Sequence, residues 1–392
     1  MRKRHFLGFT AAGLATFAGV PAFAQERPFR IGLILPMTGP FSAVGKQVLA
    51  GVRLYLAQHG ATVAGRRIEV LLKDDGAVPD RSRRLALELV TVDKVDALAG
   101  FAITPSALAA APIATQSKTP LVVMSAAASS ITQASPMVVR TSFTVAQVSV
   151  PLAQWAVKNG IHKAVSLVSD YAPGVDAERS FNASFQAAGG QVLDALRVPL
   201  HGPDFAPFMQ KVRDLKPDAV FVFVPAPEAP SVVKQFRQRG LDRAGVRLIG
   251  TGDMVDDDSL AHIGDDALGI ITAHHYSAAH RSAANTAFRE GFVKANDGQR
   301  PNFMAVGGYD GVQLLSVALQ MTGGAAGGEA LVAAMKGAAF ESPRGRIAID
   351  PATRDIVQTV YIRRVEKKGG EYWNVEFDRF PDVRDPGKEG KN

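Results

Sequence analysis

The chain has 392 residues, with 44 Lys and Arg against 37 Asp and Glu, a formal net charge of +7, and no cysteine. Without cysteine there is no disulfide framework, no thiol chemistry and no lipid anchor on an N-terminal cysteine. The mild positive balance is spread along the chain and does not make a nucleic-acid footprint, and the length exceeds what one hydrophobic core usually organises, so two lobes are expected.

The first 24 residues read as a signal peptide. Arg2, Lys3 and Arg4 form a basic start, residues 6–20 are apolar and small, and Pro21-Ala22-Phe23-Ala24 ends in the small-x-small pattern of a cleavage site after Ala24. Export to a periplasm-like space follows. Lys3 stands where a twin-arginine motif has its first Arg, which leaves Sec and Tat export both open. No later segment reaches about 18 uninterrupted apolar residues, the length of a membrane span.

Residues 31–35 form a short branched apolar run, the pattern of a buried strand, stopped at Pro36. Thr38-Gly39-Pro40 makes a turn, Ser42 is the expected N-cap, and Val44, Val48, Val52 and Tyr55 repeat at helical spacing. A strand is expected over 68–73, closed by Asp74-Asp75-Gly76 with one exposed acid in the turn. Then come a helix over 79–92, a strand over 95–100, a helix over 105–116 and a strand over 121–124. The rhythm restarts with strands at 164–168, 192–198 and 219–224 and helices at 177–188 and 205–215. Two such series imply two doubly wound lobes. Residues 138–143 run extended between them, 270–276 look like a return, helices follow over 285–296 and 309–321, and 347–350 with 357–365 look like a third passage.

The strand, glycine turn and helix of 31–51 resemble the opening of the leucine/isoleucine/valine-binding family, the receptors that feed ABC importers. Asp74-Asp75, the stretches 95–100 and 120–127, Arg140-Thr141, Asp204-Phe205 and Tyr309-Asp310 follow in the family's order, so the resemblance runs from about Phe29 to about Phe380. It implies an α/β fold of two lobes with parallel-rich sheets joined by three hinge crossings. The implied division is a first lobe from 25–142 and 274–349, and a second from 143–273 and 350–392. It further implies a small-molecule ligand held between the lobes and delivery to a membrane permease and ATPase.

Open parallel sheets bind ligands at the carboxyl ends of their strands. Small polar loops at 38–45, 101–106 and 125–130 suit a carboxylate, because hydroxyls and free N–H groups replace its water without a full counter-charge. The resemblance assigns the ligand's α-carboxylate to Thr104, Ser125 and Ala127, although Ala127 lacks the hydroxyl that amino-acid binders carry. The same hydroxyls also serve as helix caps. Val44, Pro173 and Pro225 stand where aromatic wall residues are common, and Tyr171, Phe41 and Phe101 are the candidates to restore that wall. Asp253 matches the acid that pairs with an α-ammonium, with a helix cap as the plainer alternative.

No catalytic motif emerges. His274-His275 and His280 lack zinc-site spacing, and neighbouring histidines on a strand point to opposite faces. Asp256-Asp257-Asp258 lacks the spaced oxygens of an EF-hand, and there is no GxSxG, P-loop or dinucleotide fingerprint. The sequence therefore describes a binding protein without cofactor or metal. Branched-chain or related apolar amino acids are its first expected ligands. An aromatic or aliphatic carboxylate, or a sensing role without transport, is the alternative.

Overall fold

Branched apolar runs that read as buried strands build the first sheet in the computed structural model, which describes residues 27–200 and 202–388. The expected signal peptide lies outside the described residues. The strands are Phe29–Leu35 (β1), Thr62–Val63 (β2), Arg66–Asp74 (β3), Ala97–Gly100 (β4), Leu121–Val123 (β5) and Val138–Arg140 (β6), in the order β2-β3-β1-β4-β5-β6. All pairings are parallel except the β2–β3 hairpin. Helices Ser42–His59 (α1), Pro79–Thr91 (α2) and Thr104–Ser117 (α3) are the crossovers.

The second sheet uses Lys163–Ser169 (β7), Gln191–Val198 (β8), Ala219–Phe223 (β9), Arg247–Thr251 (β10) and Ile271–His274 (β11). Late in the chain Ala339–Ser342 (β12), Gly345–Ile349 (β13), Ile356–Lys368 (β14) and Glu371–Val383 (β15) join it antiparallel. Its order is β12-β13-β14-β11-β10-β9-β7-β8, with β15 on β14. Around it lie Val145–Lys158 (α4), Ala172–Ala187 (α5), Ala206–Leu215 (α6), Ala229–Gln238 (α7) and Leu260–Ile263 (α8). Helices Ala283–Ala295 (α9) and Phe303–Met321 (α10) return to pack on α1, and Gly328–Met335 (α11) packs on α10 and β6.

Three differences from the sequence reading have local causes. Ser42 is the first residue of α1 rather than its cap; Phe41 holds that position, without a side-chain capping bond. Helix α5 starts five residues before the expected 177, because Pro173 is tolerated in a first turn and Gly174 lets the turn sit on the strand end. A Cβ on Gly174 would lie 1.8 Å from the Ser169 carbonyl oxygen. Helix α10 starts six residues before the expected 309, capped by Asn302, whose side chain accepts from the N–H groups of Met304 and Ala305. Gly307 and Gly308 hid that turn, yet both are needed: their Cβ atoms would meet the carbonyl oxygens of Met124 at 2.1 Å and Val48 at 2.3 Å.

The chain passes between the lobes at 141–144, at 275–282 and between α11 and β14. One buried guanidinium ties all three passages. Itself in the third, Arg344 donates to the carbonyls of Thr141 and Ser142 in the first, to Nδ1 of His275 in the second, and to Gln358 Oε1 on β14. Its counter-charge is Asp310 on α10, bonded through Nε at 2.9 Å.

Candidate ligand-binding cleft

Three turns at the carboxyl ends of first-lobe strands make one wall. Asp74 holds the first. Its carboxyl accepts from the N–H of Met37, the hydroxyl of Thr38 and the N–H of Gly76, and although burial works against ionisation these bonds keep it below the usual carboxylate range. Of the acidic pair, Asp74 keeps partial exposure to solvent, while Asp75 is fully buried and accepts from Ser82, which itself bonds Ser106 at the start of α3. Gly45 packs α1 against the strand end, since a Cβ there would lie 2.1 Å from the Pro36 carbonyl oxygen. Phe41 and Val44 thereby face the cavity.

At the second turn Gly100 and Phe101 have φ of +106° and +66°. This left-handed turn drives the Phe101 ring into the core, so Phe101 is fully buried and does not line the cavity. Ala102, Ile103 and Thr104 line it instead, presenting the N-terminus of α3. Thr104 Oγ1 accepts the Ala128 N–H at 3.3 Å, which leaves its own proton to donate. The third turn carries Ser125, Ala126 and Ala127. Ser125 already donates its hydroxyl to the Ala102 carbonyl at 3.1 Å. Buried Arg140 takes the carbonyls of Ala126 and Ala128 at 2.9 and 2.6 Å, and its charge is matched by Asp355. A trans peptide points its N–H opposite its carbonyl. With the Ala126 oxygen turned to Arg140, the Ala127 N–H is turned away from it, and no backbone carbonyl among the described residues takes it.

The facing wall comes from the second lobe. Tyr171 and Pro173 open α5, Phe223 ends β9, Pro225 follows it, and Asp253 sits in the turn after β10. Tyr171 stacks on Phe223 with centroids 6.2 Å apart. Burial, with the Asp253 charge beside it, pushes the Tyr171 phenol well above its ordinary pKa. Phe143, from the first crossing, and Met304, from the first turn of α10, close the floor. The lobes meet over this small cavity, enclosed between the strand ends of both sheets. The sequence reading missed Ala102, Ile103, Phe143, Phe223 and Met304. Phe223 was legible as an aromatic near the carboxyl end of the expected strand 219–224; Met304 was hidden with the first turn of its helix.

Among the described residues Asp253 is the one Asp, Glu, Lys, Arg or His in that lining, and it is 8% exposed. It caps no helix. Its Oδ2 accepts from the Thr251 hydroxyl at 2.9 Å. Burial pushes its pKa up to about 6, a rise the Thr251 bond and distant Arg363 only partly offset. His274 lies nearby, with Nε2 3.9 Å from Asp253 Oδ2. The two neighbouring histidines do not point apart as expected. Strand β11 ends at His274, the backbone then turns, and the rings lie 4.4 Å apart against Phe143 and Phe303. Burial drives both toward the neutral form. Among the described residues no group of three or more His, Cys, Asp or Glu is placed to hold a metal, and no helix is long and apolar enough to cross a membrane.

Comparison with known proteins agrees with this architecture. A family model described as "Periplasmic binding protein" matches residues 28–371. The Leu/Ile/Val-binding protein homolog 6 of Brucella suis is 41% identical, with the alignment covering 97% of this chain and 98% of the relative. A solute-binding protein of an ABC transporter from Rhodopseudomonas palustris BisB5, solved with 3,4-dihydroxybenzoic acid, is 57% identical with a TM-score of 0.89, covering 92% of this chain and 99% of that one. Another from R. palustris, solved with 4-hydroxybenzoate, is 40% identical with a TM-score of 0.89, covering 93% and 100%. Two doubly wound lobes, three crossings and a cleft between strand ends belong together here: the chain is a member of the periplasmic binding protein family, the Leu/Ile/Val-binding branch of the ABC-transporter solute receptors.

Proposed function

We propose that this protein captures an aromatic monocarboxylate in the periplasm, after export by its signal peptide, and hands it to the permease and ATPase of an ABC importer. The observation that carries the reading is the composition of the cavity. Aromatic, proline and aliphatic groups line it on both sides, and among the described residues a single acid faces it from the second lobe and no cation does. In this reading a flat ring lies between Phe41, Phe143 and Tyr171, and its carboxylate meets the first-lobe turns. There the N-terminus of α3, the Ala127 N–H and the Thr104 hydroxyl supply donors without a counter-charge. Similarity to the two hydroxybenzoate-bound receptors of R. palustris supports the same ligand class. The protein binds and delivers; its relatives are receptors, not enzymes.

Asp253 favours a second reading, in which its carboxylate pairs with the ammonium of a branched-chain amino acid. A thermal-shift series separates the two. A ligand that binds only the folded protein stabilises it by about 2.7 kcal/mol at roughly a hundredfold excess over Kd. Benzoate and its hydroxylated derivatives are expected to raise Tm, and leucine, isoleucine and valine to leave it unchanged. A shift with the amino acids alone would reverse the assignment.

A further inference from the structure

The acid of the second lobe needs a purpose if the ligand is itself an anion. A bare carboxylate facing a carboxylate ligand across an apolar cavity is repulsive, and a cavity selected only for an unsubstituted ring would gain by losing it. We propose that Asp253 reads a hydroxyl on the aromatic ring, accepting its hydrogen bond while the first lobe holds the carboxylate at the other end. This inference rests on the aromatic-acid reading and names the substrate within it: a hydroxylated aromatic acid with its hydroxyl remote from the carboxylate.

Three observations carry the inference. First, the acid is fixed in place. Thr251 donates to Oδ2 at 2.9 Å, and Gly252 brings the turn down onto the second sheet, since a Cβ there would lie 2.0 Å from the His274 ring. Second, a buried donor faces it from outside the cavity wall. The His275 N–H donates to His274 Nδ1 at 2.9 Å, which puts the His274 proton on Nε2. That Nε2 is buried, has no partner, and lies 3.9 Å from Asp253 Oδ2. At that distance it makes no hydrogen bond to the carboxyl and is the nearest histidine nitrogen to it. Third, no cation among the described residues is hydrogen-bonded to it, and Arg363 reaches it only through its charge at a distance. Arg363 is committed to the Tyr276 carbonyl and the Thr272 hydroxyl, and Arg344 to the hinge.

The chemistry at this corner favours a phenol over an ammonium. An ammonium brings three donors. One oxygen of Asp253 is already taken by Thr251, and of the other second-lobe side chains lining the cavity only the Tyr171 hydroxyl can accept. A buried ammonium would keep unsatisfied donors, at a cost of the kind that excludes ligands from apolar sites. A phenol has one donor, remains protonated at neutral pH, and carries the flat ring that Tyr171 and Phe143 face.

The test is calorimetry at neutral pH with benzoate, 4-hydroxybenzoate, 3,4-dihydroxybenzoate and 4-methoxybenzoate, the last keeping the oxygen but losing the donor. The wild type is expected to bind the best hydroxylated acid roughly 10- to 100-fold tighter than benzoate or the methoxy compound, the range of a hydrogen bond to a charged group. In Asp253→Asn the ratio is expected to fall to within about threefold, with benzoate affinity retained or improved as the repulsion is removed. Equal wild-type affinity for benzoate and both hydroxylated acids would overturn the inference and leave the aromatic-acid reading standing. So would an equal loss for all four ligands in Asp253→Asn. Binding of none of the four, with binding of leucine, would remove the aromatic-acid reading and this inference with it. The ligand comparison on the wild type keeps the test decisive if the variant folds poorly.

Discussion

Arg140 acts on the cavity through one peptide plane. By holding the carbonyls of Ala126 and Ala128 it turns the Ala127 N–H away from itself, so a residue with no polar side chain still offers a donor. The sequence marked Ala127 as a lost hydroxyl; the backbone supplies another way to bind an anion there. Thr104 and Ser125 are expected to differ for a related reason. Thr104→Val removes a free proton donor and should weaken 4-hydroxybenzoate by about 1.5–3 kcal/mol in calorimetry. Ser125→Ala should cost less than about 1 kcal/mol, because that hydroxyl is already spent on the Ala102 carbonyl. Asp253 gives a pH signature in the ligand-free protein. Its folded pKa of about 6 lies above the ordinary value of 3.8, so the folded state binds the extra proton between those limits. The destabilisation is therefore fully present above about 6 and is relieved as pH falls toward 3.8. Asp253→Asn should be more stable than wild type by about 1–3 kcal/mol at neutral pH, with the difference vanishing in acid. Melting curves across that range check it; a constant difference would assign the effect to packing. Asp253 and Tyr171 were legible as residues following strand ends, whereas Phe101 was not, because a positive φ aims its ring into the core.

Helices α1 and α10 cross closely enough that their glycines touch backbone. A Cβ on Gly51 would lie 1.9 Å from the Ala305 carbonyl oxygen. Gly51→Ala should therefore destabilise by about 1–3 kcal/mol or more, since the backbones must part. It should also weaken ligand binding, because the first turn of α10 carries Met304 into the cavity. Gly327→Ala, where the nearest atom would be 3.9 Å away, is the matched control and should be near neutral in chemical denaturation. The same glycines explain what the sequence hid. They lower helix propensity, so the start of α10 read as loop, while the alternating strands and helices of both lobes stood out through branched apolar runs and breaks at Gly, Pro and Asp. Helix α4 was written in a capping box, Thr144 with Gln147, and the β14–β15 ribbon in Gly369-Gly370, both at positive φ. Those are short-range signals and carry less weight by eye than a long periodic run.

At the scale of the whole molecule, the hinge sets a buried polar cluster beside an apolar core that runs from the first lobe into the second. Arg344 bonds segments more than 200 residues apart in sequence, and Asp310 holds its charge from α10. Arg344→Met leaves Asp310 buried without a counter-charge and should cost about 3–5 kcal/mol of unfolding free energy. Removing both partners, Arg344→Met with Asp310→Leu, should cost less than the sum of the single changes. Additive losses would show that the pair is not the source. Such a crossing of chain order was beyond periodicity: nothing local to residue 344 announces residues 141 and 275, and only the likeness to a known family implied three passages. A knot of three chain passages at one side chain also sets the kind of motion available. Passages fixed at a common point can turn about it but cannot glide past one another, so the two halves are left with a pivot and little shear. Such a pivot would part both walls of the cavity in one swing, so that a ligand held between them leaves through the open mouth rather than by threading a tunnel.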